Sequence, residues 1–530
     1  MLKACYAEGV NSYYLAFSAV FLGTGALFFA CSDDPDRARR RVETEANTTF
    51  SYRGEGCSYD VAPPSTRAFR DLRLHTPLPA LSTTDTAVRV RLGLGGNTDY
   101  GTAGFPDPSK TVAILWETNG NTSNAEVRYG TSPDALNQNA KGYSFTLPPP
   151  EFGLGGNDPE SYMHEVHLCG LTPGATYYYQ VGGGAGEAAT QVWSAVQSFT
   201  TVPAVLATPA DAGATEAGTD DASVDAGIPL AKEIVVGISG DSRDRVATWQ
   251  IVQQRMKSAN VSLQLFSGDL TVAGSSKALT DIWLDAIWKD PNDPSAFLTL
   301  GQQIFLPIAG NHEAEAAQFY GNFTLPGTGK YEETYFGIDV GPVHYVLIDD
   351  EPQANAEDGE HAATIRTWLD GHLGKIDRKK TPFVVAISHR GIYSTSKHAN
   401  ESDVLGARRA FAPLFEKHKV NVVFNGHDHE FERSKPLKPA SDGLGAPTVQ
   451  PSASEGTTYI VSAGAGADPY AIGTTASTFR EKAVQFGNGT PYIGIYSLVT
   501  ATRNTLTVRS FAIRGLTQQD DLLDTFEVTL

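Results

Sequence analysis

The chain has little positive charge for its length. Its 530 residues include 41 lysines and arginines against 60 aspartates and glutamates, which gives a formal net charge of −19. Binding to a phosphate backbone needs clustered basic residues, so this composition argues against nucleic acid as a stable partner. It does not exclude a phosphorylated small molecule, because a buried pair of metal ions can dominate the local field whatever the net charge.

The N-terminus lacks an apolar run long enough to span a membrane comfortably. The uncharged run ends at Ala30, just before Cys31, and its length is typical of an export signal. We interpret residues 1–31 as that signal, because FFAC at its end looks like a bacterial lipoprotein box. Lipidation of Cys31 would anchor the protein to the outer surface of a membrane, as a periplasmic or cell-surface lipoprotein. An ordinary cleaved signal would instead leave it secreted.

Cysteine is scarce, with four residues in the chain. Cys5 lies in the predicted signal, and Cys31 is the candidate lipidation site. Cys57 and Cys169 remain as an even pair, which predicts a disulfide if the compartment is oxidising. Two buried free thiols are the alternative.

Several familiar catalytic motifs are missing. No G-x-S-x-G segment occurs, so the elbow of serine hydrolases is absent. PGTGKY (326–331) resembles a phosphate-binding loop but lacks its first glycine and the Ser or Thr after Lys330. GLGGN occurs at 93–97 and 153–157, and neither copy continues as a dinucleotide fingerprint.

The first half of the chain predicts a β-domain followed by a linker. Residues 32–84 are interpreted as a tether and an irregular segment. Residues 85–203 alternate apolar and polar side chains between Gly, Pro, Asn and Asp turns, which is typical of an all-β sandwich. Trp116 is a candidate core residue between its sheets. Residues 204–231 are rich in Ala, Gly and Asp and have too few large apolar residues to fold, so we predict a disordered linker.

Residues 232–530 change rhythm, with apolar strands alternating with helical stretches. This is the pattern of layered α/β structure. The predicted strands are 233–239, 261–267, 303–309, 343–349, 382–388 and 421–425. Helices are predicted around 244–257, 277–287, 361–373 and 407–418, and the pattern returns to β from residue 457.

Polar residues able to bind metal follow five of these strands. Ligands in α/β sheets collect beyond the carboxyl ends of the strands, so residues at five such exits point to one pocket. Each residue alone would mean little, because Gly-Asp after a strand is usually a turn and a single His is usually a surface or core residue. The candidate ligands are Asp241, Asp269, Asn311, His389, His427 and His429.

This set of side chains suits a dinuclear metal centre. Two ions about 3.5–4 Å apart need one bridging carboxylate and terminal imidazole, amide and carboxylate ligands. Such a pair lowers the pKa of a bridging water and clamps phosphate oxygens during in-line displacement. We therefore predict two metal ions as cofactors, such as Fe, Zn or Mn, without an indication of which.

The motifs G-D, G-N-H-E and G-H-D-H resemble those of the calcineurin-like metallophosphoesterase superfamily, and of its purple acid phosphatase branch in particular. LTPGATYYYQV (171–181) resembles a fibronectin type III module, most closely the N-terminal domain of purple acid phosphatases. The resemblance implies an all-β N-terminal sandwich followed by an α/β (αββα) four-layer sandwich with two mixed sheets. It also implies hydrolysis of a small-molecule phosphoester by a metal-bridging hydroxide.

The resemblance implies a role for each candidate ligand. Asp241 and His429 would bind the first metal, and Asp269 would bridge both ions. The second metal would be held by Asn311, His389 and His427.

Two further histidines match substrate-side positions of the family. His312, in G-N-H-E, would contact the phosphate and assist the leaving group. His398, at the end of ISHRGIYSTSKH, would be a substrate-binding residue.

The chain departs from the family pattern at the first metal. Purple acid phosphatases have G-D-x-x-Y, and here Val272 stands in place of the tyrosine. Most other members have D-x-H, and here Arg243 replaces that histidine. Arg243 is a candidate catalytic residue that binds phosphate with its planar guanidinium, or it pairs with Asp244 or Asp269.

The sequence therefore predicts an exported metal-dependent phosphoester hydrolase, most like an acid phosphomonoesterase. A phosphodiesterase or nucleotidase on the same site is one alternative. A surface binding protein with a decayed catalytic domain is another. The complete ligand set for the second metal argues against decay, while the thin set for the first keeps that alternative open.

Overall fold

The structure is a computed structural model that describes most of the two predicted folded regions. The described residues are 50–61, 87–118, 125–147, 161–184, 191–204, 234–293, 295–313, 316–327, 333–472, 477–487, 489–515 and 519–530. The predicted signal 1–31, and the predicted linker apart from Ala204, lie outside them. Within these ranges, no helix is long and apolar enough to cross a membrane.

A short hairpin opens the described chain. β1 (Phe50–Gly54) pairs antiparallel with β2 (Cys57–Val61), so part of the segment predicted as irregular is regular structure. Cys57 forms a disulfide with Cys169, and their Cα atoms are 5.7 Å apart. The predicted pairing is confirmed, and the alternative of two free thiols is wrong.

The β-domain follows the alternating pattern of its sequence. Its strands are β3 (Val88–Gly93), β4 (Val112–Thr118), β5 (Glu126–Gly130), β6 (Gln138–Lys141), β7 (Tyr143–Leu147), β8 (Ser161–Leu168), β9 (Thr176–Gly184), β10 (Gln191–Trp193) and β11 (Gln197–Thr200). β10, β9, β5 and β6 form one sheet, which β11 joins through β9. Trp116, in β4, is fully buried in the core, as predicted.

The rest of the chain supplies the α/β elements. The strands are β12 (Val235–Ser239), β13 (Leu263–Phe266), β14 (Ile304–Pro307), β15 (Tyr335–Val340), β16 (Val343–Ile348), β17 (Phe383–Ser388), β18 (Val422–Asn425), β19 (Phe431–Ser434), β20 (Leu437–Lys438), β21 (Thr448–Val449), β22 (Thr458–Ser462), β23 (Arg480–Val484), β24 (Tyr492–Ala501), β25 (Thr505–Arg514) and β26 (Asp520–Thr529). The helices are α1 (Val246–Ser258), α2 (Lys277–Trp288), α3 (Ala317–Tyr320), α4 (Glu351–Asn355), α5 (Glu360–Leu373) and α6 (Ser402–Lys417).

Two large mixed sheets carry these elements. The first has the order β26-β25-β24-β12-β13-β14-β3-β4-β8-β7, and β12, β13 and β14 run parallel. The second has the order β15-β16-β17-β18-β22-β19-β23, with β16, β17, β18 and β22 parallel. The first sheet continues from β14 into β3 through the pairing of Ile304 with Leu92, so strands from both predicted domains share one sheet.

Side-chain alternation in the strands separates four layers. In β17, Val385 and Ile387 face the core between the sheets, whereas Val384 and Ala386 belong to a second cluster with Phe411 of α6. On the first sheet, Trp249 of α1 and Trp283 of α2 stack with ring centroids 5.0 Å apart. The predicted αββα arrangement with two mixed sheets is therefore confirmed.

A buried histidine in the β-domain makes folding sensitive to acid. His164 lies beside Trp116 and within hydrogen-bond distance of Thr118 Oγ1 (3.0 Å) and Ser144 Oγ (2.7 Å). Burial lowers its pKa to about 3, whereas an exposed histidine titrates near 6.5. Between these values the unfolded chain binds the extra proton, so the free energy of unfolding falls as the pH falls.

We predict that His164→Gln reduces the loss of stability between pH 7 and pH 4. The glutamine keeps polar atoms for Thr118 and Ser144 but cannot take up a proton in the unfolded state. The native chain should lose up to about 1.4 kcal/mol more per pH unit than the variant. Urea unfolding at both pH values measures this difference. Equal losses in the two proteins would contradict the assignment.

Candidate metal centre

Loops from the two sheets meet at the carboxyl ends of their parallel strands. His389, which follows β17, has its Nδ1 2.7 Å from the carbonyl oxygen of Ser267, the residue after β13. His427, beyond β18, donates its backbone N–H to Asp241 Oδ1 over 3.0 Å. The structure thus brings together the strand exits that the sequence singled out.

The loops reach this point through an unusual backbone conformation. Asp241 and Asp269 both have φ of 57°, and His427 has φ of 69°. Non-glycine residues adopt this left-handed region at a cost of order 1–3 kcal/mol each, and such residues cluster at functional sites. The turns are held by backbone bonds, such as that from Asp241 N–H to the Gly268 carbonyl at 3.0 Å.

Two predicted ligands, His389 and His427, converge on a third, the side chain of Asn311. Asn311 Oδ1 lies 3.0 Å from His389 Nε2 and 2.9 Å from His427 Nδ1. His389 Nε2 is also 3.3 Å from Asp269 Oδ1. Since the Ser267 carbonyl can only accept, His389 carries its hydrogen on Nδ1, which leaves the Nε2 lone pair for a cation.

The set predicted for the first metal is thinner. His429 Nε2 lies 3.5 Å from Asp241 Oδ1, and its Nδ1 donates to the Asp468 carbonyl over 2.6 Å. Arg243 Nη1 is 3.4 Å from the same Nε2. Ligand atoms of Asp241, Asp269 and His389 all lie within 4.8 Å of one another, so the two sets adjoin.

The electrostatics of the centre favour a bound cation. Burial alone would lower the pKa of His389, but the carboxylates of Asp269 and Asp241 raise it to about 9. Burial alone would raise the pKa of Asp269, but His389, His312 and Arg243 lower it to about 2. The pocket therefore stabilises positive charge where the ligand atoms meet, and a metal ion would displace the His389 proton. Together with the imidazole, amide and carboxylate donors, this fits a transition-metal pair.

His312 and His398 border the centre on the open side. His312 Nδ1 lies 2.9 Å from the Val272 carbonyl, and its Nε2 is 3.7 Å from Asp269 Oδ2. The His312 side chain is 27% exposed, so a substrate can reach it. The His398 ring centroid is 4.5 Å from that of His427. The structure thus brings both histidines close to the predicted ligands.

Glu313, the last residue of G-N-H-E, fastens two loops of the centre. Its buried carboxylate accepts hydrogen bonds from the backbone N–H groups of Asp269 (2.8 Å), Leu270 (2.9 Å) and Gly310 (2.8 Å). Burial and the charge of Asp269 raise its pKa, whereas the N–H bonds from Gly310 and Asp269 and the charge of His389 favour the carboxylate form. Glu313 thus sets the distance between the loops that carry Asp269 and Asn311.

Sequence reasoning assigned no role to Glu313 or to Tyr470, whose ring stacks on His429 at 4.1 Å. Glu313 is the last residue of the recognised G-N-H-E motif, and its place in that motif could have identified it as a residue of the centre. Tyr470 follows β22 through the glycine-rich segment GAGADPY, another exit of a parallel strand. Including the exit of β22 among the strand exits considered above would have identified Tyr470.

Comparisons with known proteins agree with this arrangement. The family model for the N-terminal domain of purple acid phosphatases matches residues 100–201, and that for calcineurin-like phosphoesterases matches residues 238–431. The chain is similar to purple acid phosphatase 22 of Arabidopsis thaliana, at 26% identity over 52% of this chain and 54% of the relative. It is also similar to a phosphoenolpyruvate phosphatase of Allium cepa, at 24% identity over 61% of this chain and 60% of the relative.

A solved structure supports the fold. The purple acid phosphatase from yellow lupin seeds superposes with a TM-score of 0.61 at 16% identity, covering 84% of this chain and 74% of the other. The sequence matches are shorter than this structural match. The chain spans a little over half the length of the curated relatives named above.

We predict that Glu313→Gln weakens metal binding without touching a ligand. The amide offers one acceptor oxygen where the carboxylate offers two, so one or more buried N–H groups lose their partner at about 1–3 kcal/mol. Metal affinity should fall on the order of 10- to 100-fold. Competition with a chelator measures the affinity, and Glu481→Gln makes the same change at an exposed position as a control. Equal affinity in both variants would contradict the role given to Glu313.

Proposed function

The chain belongs to the calcineurin-like phosphoesterases and carries the N-terminal domain of purple acid phosphatases, and on this basis we propose that it is a metal-dependent phosphomonoesterase. The observation that carries the proposal is the meeting of two carboxylates, three imidazoles and one amide oxygen at the carboxyl ends of two facing sheets. A phosphate ester of a small molecule is the substrate class that such a centre suits.

Each donor has a role in this proposal. Asp269 has ligand atoms close to those of both Asp241 and His389 and would be shared by the two ions. Asp241 and His429 would hold the first ion, and the second ion would be held by Asn311, His389 and His427. Two bound ions would supply Lewis acidity and an activated water for in-line displacement at phosphorus.

His312 is the proposed general acid. Because its Nδ1 donates to the Val272 carbonyl, the proton available to a substrate is the one on Nε2. In the protonated form, His312 transfers this proton to the departing alkoxide oxygen and returns to the neutral imidazole. His398 binds the substrate on the side of the second ion.

Arg243 binds the phosphate in this proposal. Its guanidinium is largely buried and, although burial opposes its charge, the carboxylates of Asp269, Asp244 and Asp241 raise its pKa, so it stays protonated. A permanently charged guanidinium has no lone pair for a metal ion. Its planar donors suit phosphate oxygens.

Export is part of the proposal. The disulfide between Cys57 and Cys169 supports an oxidising compartment, where such bonds persist. Periplasmic or cell-surface anchoring through Cys31, or secretion, would follow from how the predicted signal is processed.

Metal analysis combined with a substrate panel tests the proposed function. We expect about two metal ions per chain and faster hydrolysis of phosphomonoesters than of phosphodiesters. Asp269→Asn should lose most of both ions and nearly all activity, because an amide cannot bridge two cations. Asp293→Asn, an identical change in an exposed turn, should retain both. A protein that is active without metal, or that hydrolyses phosphodiesters faster than phosphomonoesters, would contradict the proposal.

We expect His312→Ala to lower turnover by about 10²- to 10⁴-fold with little loss of metal. The loss should shrink for nitrophenyl phosphate, whose leaving group needs no proton, and stay large for alkyl phosphates. Steady-state kinetics on both substrates measures this ratio. The same loss on both would indicate a binding role for His312 instead.

A further inference from the structure

Tyr470 stands at the edge of the metal centre and has no role in the mechanism described so far. Its ring lies parallel to that of His429, with centroids 4.1 Å apart and 16° between the planes. Its other contacts face the substrate side, since its ring meets that of His398 edge-on at 5.2 Å. Tyr470 therefore spans from a predicted ligand of the first metal to the predicted substrate-binding histidine.

The loop that carries Tyr470 is fastened to the centre by its backbone. Ala467 N–H donates to the Asp241 carbonyl over 2.8 Å, and Tyr470 N–H donates to the His429 carbonyl over 3.0 Å. The Asp468 carbonyl accepts from His429 Nδ1. A Cβ on Gly466 would lie 2.1 Å from the Ser242 carbonyl oxygen, so the close approach requires glycine there. The position of Tyr470 is thus fixed by the same loops that place Asp241 and His429.

The Tyr470 phenol lies close to two cationic side chains and to carboxylates of the metal centre. Burial raises its pKa to about 12, and a hydrogen bond and the charge of Arg243 oppose that rise. The carboxylates of Asp241 and Asp269 are close enough to raise the pKa of Tyr470 as well. Lys397 Nζ lies 5.0 Å from the Tyr470 ring centroid. The Arg243 guanidinium beside the phenol and the Lys397 ammonium over its ring are two cations that can attract an anion to this position.

The stacking of the two rings distinguishes a metal-ligand role for this hydroxyl from a substrate-binding role. The lone pair of His429 Nε2, which would bind a metal ion, lies in the plane of the imidazole ring. The Tyr470 ring stacks on the face of that imidazole, with centroids 4.1 Å apart, and not at the ring edge that carries the lone pair. We therefore do not assign to Tyr470 the metal-ligand role of the family tyrosine whose position Val272 occupies.

We propose that Tyr470 is a substrate-contacting residue whose hydroxyl, together with the Arg243 guanidinium, donates hydrogen bonds to the phosphate on the side of the first metal. The inference rests on the proposed function and adds a phosphate-binding group to it. In this proposal the Tyr470 hydroxyl acts as a hydrogen-bond donor and does not exchange a proton with the substrate.

Tyr470→Phe tests the proposal, because it removes the hydroxyl and keeps the ring against His429. In the metal-loaded full chain we expect the dissociation constant for inorganic phosphate, measured by calorimetry, to rise on the order of 10- to 100-fold. KM for a phosphomonoester should rise by a similar factor, with metal content and melting temperature unchanged. Tyr393→Phe is the matched control, because the Tyr393 hydroxyl is buried and has no hydrogen-bond partner among the described residues. It should leave phosphate affinity as it is.

Iron loading separates the proposal from a ligand role. A protein loaded with ferric iron should lack a strong violet band, since no tyrosinate binds the metal. A violet band that disappears in Tyr470→Phe, or loss of metal from that variant, would overturn the proposal. Unchanged phosphate affinity would overturn it as well. Phosphate binding does not require turnover, so a protein that binds phosphate through Tyr470 yet hydrolyses no monoester would refute the proposed function and leave this inference standing.

Discussion

The burial of two carboxylates, Asp241 and Asp269, between facing sheets is the constraint that the surrounding structure satisfies. Both side chains are almost fully enclosed, and an isolated buried carboxylate costs far more than folding can offset. The protein compensates with the N–H of His427 on Asp241, the N–H of His312 on Asp269 and the raised pKa of His389. What remains is an arrangement that stabilises a cation, which is the property a metal centre requires.

The same constraint explains why supporting residues are buried and polar. Glu313 cannot move without releasing backbone donors from both loops of the centre. The histidines are oriented by carbonyl groups, Ser267 for His389 and Asp468 for His429. These contacts fix which ring nitrogen carries hydrogen and therefore which nitrogen is free to bind. The two halves of the centre differ, because two histidines, His389 and His427, converge at Asn311, while Arg243 stands beside His429.

Much of this could be predicted from the sequence, because parallel strands bring distant residues together in a regular way. The exits of β12 to β14, β17 and β18 follow from strand boundaries alone. The contact of Tyr470 with His429 could not be predicted, since it depends on how a glycine-rich loop folds back after β22. The pairing of Cys57 with Cys169 followed from counting cysteines. The hairpin around Cys57 was missed, because its ten strand residues form an isolated pair outside any larger pattern.

The pairing of β14 with β3 was also beyond the reach of pattern reasoning. Alternation in β3 indicates which face is buried but not which strand lies beside it. Two backbone bonds reinforce the junction, from Leu92 N–H to the Leu300 carbonyl (3.1 Å) and from Leu94 N–H to the Thr324 carbonyl (3.0 Å). β14 leads directly to the loop of Asn311.

That junction gives the N-terminal domain a protective task as well as a structural one. Without β3, the edge of β14 would present unpaired backbone groups to solvent, and such an edge recruits strands from other molecules. An α/β half released by proteolysis would therefore carry an aggregation-prone strand edge next to the loop of Asn311, one of the predicted metal ligands.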